Sequence, residues 1–145
     1  LVGDGPERQA LESLATDAGL RDCVRFEGFR SDPLVFMRRA SIFALPSRFE
    51  GMPNALLEAM AAGLPSVVSD ASPGPLEMVC DGRQGLVVPC DDASAFAAAL
   101  QRLMLDGDLR ELEVLNAMGP TPQDLTDPQR LDPFLVVSPR SCCNC

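Results

Sequence analysis

Between Glu7 and Ala18 the apolar residues Ala10, Leu11, Leu14, Ala15 and Ala18 recur at three- and four-residue spacing. That spacing is one face of a helix, which Gly19 ends. Ahead of it, Leu1-Val2 reads as the end of a strand and Gly3-Asp4-Gly5-Pro6 as the turn into the helix. A strand is predicted at Val24-Arg25-Phe26. A short helix follows from Asp32 to Ala40, with Asp32 as N-cap and Pro33 in the first turn. Ile42-Phe43-Ala44-Leu45 is the next strand, stopped by Pro46. The pattern then predicts a helix over Pro53 to Ala62, a strand at Ser66-Val67-Val68 and a short helix over Pro75 to Cys80. A strand at Leu86-Val87-Val88 and a helix from Ala93 to Leu105, capped by Asp92, complete it.

These strands are short apolar runs that do not alternate with polar residues, as expected of strands covered on both faces. Helices alternating with them specify a parallel sheet, so the fold class is α/β, doubly wound. Leu109 to Ala117 offers one more helix. From Gly119 to Cys145 the chain holds five prolines and no period, apart from the apolar run Phe134-Leu135-Val136-Val137. That tail is expected to be unstructured or displaced.

Composition removes several classes of function. The chain has 145 residues, 46% hydrophobic and 23% charged, which suits one globular domain. No apolar run approaches the roughly 18 residues of a membrane span, and no signal peptide opens the chain. All 12 basic residues are Arg and there is no His. His-based triads, His metal ligands and lysine Schiff bases are therefore unavailable. A net charge of −9 without Trp or Tyr argues against a nucleic-acid surface. Cys23, Cys80 and Cys90 are too scattered for a disulfide framework and read as small hydrophobes in a reducing compartment. Cys142, Cys143 and Cys145 lack zinc-site spacing. No metal is expected.

In an open parallel sheet, ligands bind outside the carboxyl ends of the strands. Three segments there carry signals: Gly3 to Pro6, Pro46 to Asn54, and Asp70 to Glu77. In the second, Gly51 permits close backbone approach and Pro53 suits the start of a helix whose free amides form an anion site. Glu58 sits in a helix otherwise built of Leu56, Leu57, Met60 and alanines. Either it marks a solvent-facing stripe, or it points into a groove and accepts hydrogen bonds from vicinal hydroxyls such as those of a ribose. Glu50, eight positions earlier, lies nearer the strand end. Arg8 replaces the third glycine of a dinucleotide fingerprint at Gly3-x-Gly5, and no P-loop is present, so hydride and Walker-type phosphoryl transfer are poorly supported.

Glu50 and Glu58, in an E-x7-E arrangement within Pro46-Ser47-Arg48-Phe49-Glu50-Gly51-Met52-Pro53-Asn54-Ala55-Leu56-Leu57-Glu58, resemble the donor-binding half of family-four retaining glycosyltransferases. Gly3-Asp4-Gly5-Pro6, Val24 to Gly28, Glu77-Met78-Val79 and Gly85 to Pro89 extend the resemblance over about Leu1 to Leu112. It implies the Rossmann-like half of a GT-B fold, incomplete at its N-terminus. Residues 1–118 would be the nucleotide-sugar domain and 119–145 an atypical, disordered tail.

The resemblance further implies that Glu58 binds the ribose and that Glu50 contacts the donor sugar near the reacting centre. Backbone amides from Gly51 to Leu56 (Gly51, Met52, Pro53, Asn54, Ala55 and Leu56) would receive sugar hydroxyls and pyrophosphate. Arg48, Gly5 and Arg25 are further candidates. Ser72-Pro73-Gly74-Pro75-Leu76-Glu77 resembles a variant found in members that build bacterial surface glycans from UDP-sugars, although Glu77 also reads as a helix-starting carboxylate. The implied reaction moves a sugar from a nucleotide diphosphate to a hydroxyl of a glycan or lipid-linked acceptor, with retention and without metal or cofactor. Charge on the departing pyrophosphate calls for cations. The family supplies them upstream of Leu1, and here only Arg48 and Arg30 are offered as substitutes. An acceptor-binding N-terminal domain is missing, and the family's Arg-rich final helix is replaced by an end that reads as foreign or frame-shifted. The piece alone is expected to be inactive, and the alternative is an inactive nucleotide-binding or structural α/β fragment. Localisation is expected to be cytoplasmic, including the inner membrane face.

Overall fold

Short runs rich in Val, Ile, Leu and Phe make strands that must be covered on both sides, and the computed structural model shows how. It describes residues 1–79, 81–110 and 135–137. Helix α1 (Arg8–Asp17) is followed by α2 (Leu34–Met37), β1 (Ile42–Leu45), α3 (Asn54–Ala61) and β2 (Ser66–Ser69). Then come α4 (Pro73–Met78), β3 (Gly85–Val88), α5 (Ala93–Leu105) and β4 (Leu135–Val137). The strands form one sheet in the order β3-β2-β1-β4, with every pair parallel.

Successive strand residues point to opposite faces, and each face has its own core. Phe43, Leu45 and Val68 pack with Met37, Ala40, Leu56, Ala59, Leu64 and Val79 on the side of α2 and α3. Ile42, Val67, Leu86 and Val88 pack with Ala99 and Leu103 of α5 on the other. Helices on both faces of a parallel sheet confirm the doubly wound α/β class. Asp92 caps α5 as expected, its carboxylate accepting from the Ala95 amide at 2.9 Å. Asp92→Ala is expected to cost about 1 kcal/mol, read as a lower urea midpoint with unchanged slope.

Several elements differ from the sequence reading. Val24-Arg25-Phe26 is not a strand. Its strand-like pairing, among the described residues, is with Leu1–Gly3 alone, through Gly3 N–H to the Gly28 carbonyl (2.8 Å) and Glu27 N–H to the Leu1 carbonyl (2.9 Å), too short a partner to sustain a ladder. Helix α2 is shorter than expected and carries no side-chain cap, so Asp32 does not close it; Pro33 occupies the N-cap. Helix α4 starts two residues early, at Pro73. Glu77 consequently lies in its last turn, exposed, and is not a helix-starting carboxylate. Cys23 is exposed and Cys90 only partly covered, so neither is a core residue; Cys80 lies outside the described residues. Of the helix expected over Leu109 to Ala117, only Leu109 and Arg110 are described. There the Arg110 guanidinium donates to the Leu103 and Met104 carbonyls at 2.7 and 2.9 Å, closing the end of α5. The apolar run in the tail supplies β4, beside β1; residues 111–134 and 138–145 lie outside the described residues.

Candidate functional site

From β1 the chain steps to β2 and then β3 on one side, while β4 takes the other side of β1. Strands are therefore added on both sides of β1, a switch in strand order, and the carboxyl end of that strand is where an open α/β sheet binds its ligands. The loop leaving β1 there runs from Pro46 to Pro53.

Four polar residues in this loop and the facing β2–α4 junction are buried: Ser47, Glu50, Ser69 and Ser72. Buried polar groups need partners, and these supply one another. The Ser47 hydroxyl donates to Glu50 Oε1 at 2.7 Å. The Ser72 hydroxyl accepts from the Glu50 amide (3.0 Å) and donates to the Glu50 carbonyl (2.8 Å). The Ser69 hydroxyl donates to the Ser47 carbonyl. Beside them, Gly74 lies so close to the loop that a Cβ built on it would stand 2.8 Å from the Gly51 carbonyl carbon and inside the contact distance of its oxygen.

Past Glu50 the chain turns through exposed Gly51 and Met52 to buried Pro53, the N-cap of α3. The Leu56 amide donates back to the Pro53 carbonyl at 2.9 Å, and the Leu56 side chain is fully buried. Pro53, which has no N–H, and Leu56 thus anchor the loop instead of presenting donors, a correction to the run of amides expected from Gly51 to Leu56. The amides of Asn54 and Ala55, in the first turn, have no acceptor within the helix and carry the positive end of its dipole. Glu58 is partly buried one turn further on, and its carboxylate has no partner among the described residues.

A cleft of ≈ 570 Å³ opens at the strand ends. Gly5 and Arg48 line it, with Ser47, Ser69, Phe26 and Phe96; Glu50, Glu58 and Gly51 to Leu56 do not. Glu50 is drawn back by Ser47, and α3 leaves the loop on the opposite face of the sheet from α5, whose Phe96 walls the cleft. Arg48 reaches across the mouth to Asp91, 2.7 Å away, a pair more than half exposed and therefore worth little stability. Arg25 is exposed and off the cleft, its carbonyl accepting from the Leu1 amino group. Arg30 is engaged elsewhere, 2.8 Å from Glu27 and over the Phe36 ring, so it is not a substitute cation at this site. Ser69, Ser72 and Gly74 had no assigned role in the sequence; the available signal was polar and small residues directly after an apolar strand.

The model of the glycosyl transferases group 1 family matches residues 1–106. The chain belongs to the group 1 glycosyl transferases. Among relatives of this glycosyl transferase chain is the lipopolysaccharide core biosynthesis glycosyltransferase LpsE of Rhizobium meliloti, 42% identical over 110 residues, covering 76% of this chain and 32% of LpsE. Another is the alpha-D-kanosaminyltransferase of Streptomyces kanamyceticus, 37% identical over 119 residues, covering 81% of this chain and 31% of that protein. The chain thus spans about a third of these curated relatives. Among solved structures, Anabaena HepE in complex with UDP-glucose superposes with a TM-score of 0.76 at 28% identity, covering 81% of this chain and 34% of HepE. The C-terminal domain of LpcC from Francisella tularensis superposes with a TM-score of 0.69 at 29% identity, covering 77% and 58% of the two chains. The sheet and its flanking helices are the Rossmann-like half of a GT-B glycosyl transferase. Among the described residues, no helix is long and apolar enough to cross a membrane.

Proposed function

We propose that this chain is the donor-binding part of a retaining, family-four glycosyltransferase that takes a UDP-sugar and passes the sugar to a glycan or lipid-linked acceptor in surface-polysaccharide synthesis. The observation that carries it is Glu50, a carboxylate 9% exposed and held beyond the carboxyl end of β1, where the strand order switches sides. One of its carboxylate oxygens is met by Ser47 and the other has no partner among the described residues, an acceptor that a ligand hydroxyl would satisfy. Glu50 contacts the donor sugar, Glu58 accepts the ribose hydroxyls, and the amides of Gly51, Met52, Asn54 and Ala55 face the pyrophosphate. Relatives in lipopolysaccharide core synthesis and the UDP-glucose complex of HepE support both the pathway class and the donor.

Residues 1–118 are the donor domain, and of the atypical segment 119–145 the described residues 135–137 add β4 to its sheet. The acceptor-binding domain and the cations for the leaving group belong to a longer protein, so the chain alone is catalytically inactive. That protein works in the cytoplasm, where nucleotide-sugars are made, and at the inner membrane face when its acceptor is lipid-linked. One observation favours the second reading, an inactive nucleotide-binding or structural α/β fragment. The cleft carries Asp4, Glu7, Asp91 and Asp92 against Arg8 and Arg48, and both arginines are already paired with carboxylates.

Melting curves with UDP, GDP, ADP and NAD test the proposal. A ligand that binds only the folded state raises the transition, by about 2.7 kcal/mol of stability at a hundredfold excess over Kd. UDP is expected to raise the melting temperature and Glu58→Ala to remove that rise while leaving the unliganded transition nearly unchanged. A rise that survives Glu58→Ala, or none with any nucleotide, would sink it.

A further inference from the structure

Ser72 occupies the N-cap of α4, where a serine hydroxyl ordinarily accepts from the first turn of its own helix. It makes no such bond. Its oxygen instead takes the Glu50 amide at 3.0 Å and gives its proton to the Glu50 carbonyl at 2.8 Å, 22 residues away in sequence. One hydroxyl thus fixes the peptide planes on both sides of Glu50. The neighbours of Ser72 are fitted to the same loop: Ser69 donates to the Ser47 carbonyl, and Gly74 admits the Gly51 carbonyl. With its backbone held from β2–α4, Glu50 meets Ser47 through Oε1, and Oε2 is left without a partner among the described residues.

We propose that Ser72 is a positioning residue that sets where the Glu50 carboxylate meets the donor sugar. This rests on the reading of Glu50 as the sugar contact. Without the hydroxyl, the Glu50 N–H and C=O are both buried and unpaired, and the loop shifts to rehydrate them. A carboxylate displaced by even about 1 Å loses most of an oriented contact. The ribose and diphosphate contacts on Glu58, Asn54 and Ala55 lie beyond the Pro53 anchor and do not depend on Ser72; the Gly51 and Met52 amides, next to Glu50, contribute the small part of UDP binding that does.

Affinities of UDP and UDP-glucose, measured by calorimetry on the full chain, separate these roles. In the unaltered chain UDP-glucose is expected to bind more tightly than UDP. Ser72→Ala is expected to weaken UDP-glucose about tenfold while UDP stays within about twofold, the size of one hydrogen bond to a charged group. Glu50→Gln should match that pattern, and Ser72→Thr, which keeps the hydroxyl, should restore tight UDP-glucose binding. Should Ser72→Ala not fold, Ser72→Cys, close in size but a weak donor, carries the same comparison. Equal weakening of both ligands, no weakening of either, or a UDP-glucose affinity no better than that of UDP in the unaltered chain would overturn the proposal. Failure of the unaltered chain to bind UDP at all would overturn the donor-binding reading itself, and this inference with it.

Discussion

Replacing Phe43 with alanine is expected to lower the unfolding free energy by ~3–5 kcal/mol, a large share of the ~5–15 kcal/mol that typical domains possess. Phe43 lies within β1 with no exposed surface, in one buried cluster with residues from α2, α3, β2 and Val79, the C-cap of α4. Its backbone amide donates to the Pro65 carbonyl at 2.9 Å, so the strand cannot slide to close the gap. Truncation therefore leaves a cavity in the cluster that supports the loop carrying Glu50. Urea unfolding followed by circular dichroism checks the value; a loss under about 1 kcal/mol would mean that this face of the sheet is not the principal core.

Gly74→Ala is the second large effect, and it acts by intrusion. The added methyl would stand 2.8 Å from the Gly51 carbonyl carbon and 3.4 Å from the Glu50 carbonyl oxygen. These are backbone atoms, which cannot rotate away as a side chain can. Either α4 lifts from the loop, or Glu50 and Gly51 move and the bonds from Ser72 stretch. Overpacking of this kind costs ~1–3 kcal/mol, and the loop moves with it. The melting temperature is expected to fall, and UDP-glucose binding to be lost more completely than the fall in folded fraction explains. An alanine variant with the parent melting curve and parent affinity would show that the Gly74–Gly51 approach is relaxed in solution.

Elements with strong periodicity or dense apolar runs were legible in the chain. Helix α5 has the expected bounds, because Asp92 supplies a cap and the alanines and leucines repeat on one face. Strands β1, β2 and β3 fall on their apolar runs within a residue. The misreadings share a cause. Val24-Arg25-Phe26 has strand-forming residues, but strand formation requires a partner, and among the described residues its neighbourhood finds only isolated bridges of Val2 and Gly3 to Gly28. Asp32 has the chemistry of a cap, yet Pro33 stands between it and the helix. Glu77 was placed by its distance from Pro75, whereas the helix begins earlier, at the preceding proline.

The candidate site divides in the same way. Glu50, Gly51 and Glu58 were visible as chemistry, since carboxylates beside a glycine and inside an apolar helix stand out against their neighbours. Their places in space were not: Glu50 is tied back to Ser47, Glu58 keeps a carboxylate without a partner among the described residues, and the cleft at the strand ends is walled by other residues. Arg30, offered by composition as a spare cation, is spent on Glu27.

The sequence by itself determined the class of fold and the family. Short-range pattern decides where helices and strands can form, and runs of apolar residues unbroken by alternation leave a parallel sheet covered on both faces as the way to bury them. Only the tertiary structure decided that Ser69, Ser72 and Gly74 hold the Glu50 loop, and that the final described strand lies beside β1. These are contacts between segments 22 or more residues apart, and no local rule of spacing or propensity encodes which hydroxyl will meet which carbonyl. Burial makes such pairings obligatory once the chain has folded, because each unmet polar group inside would carry its full desolvation cost.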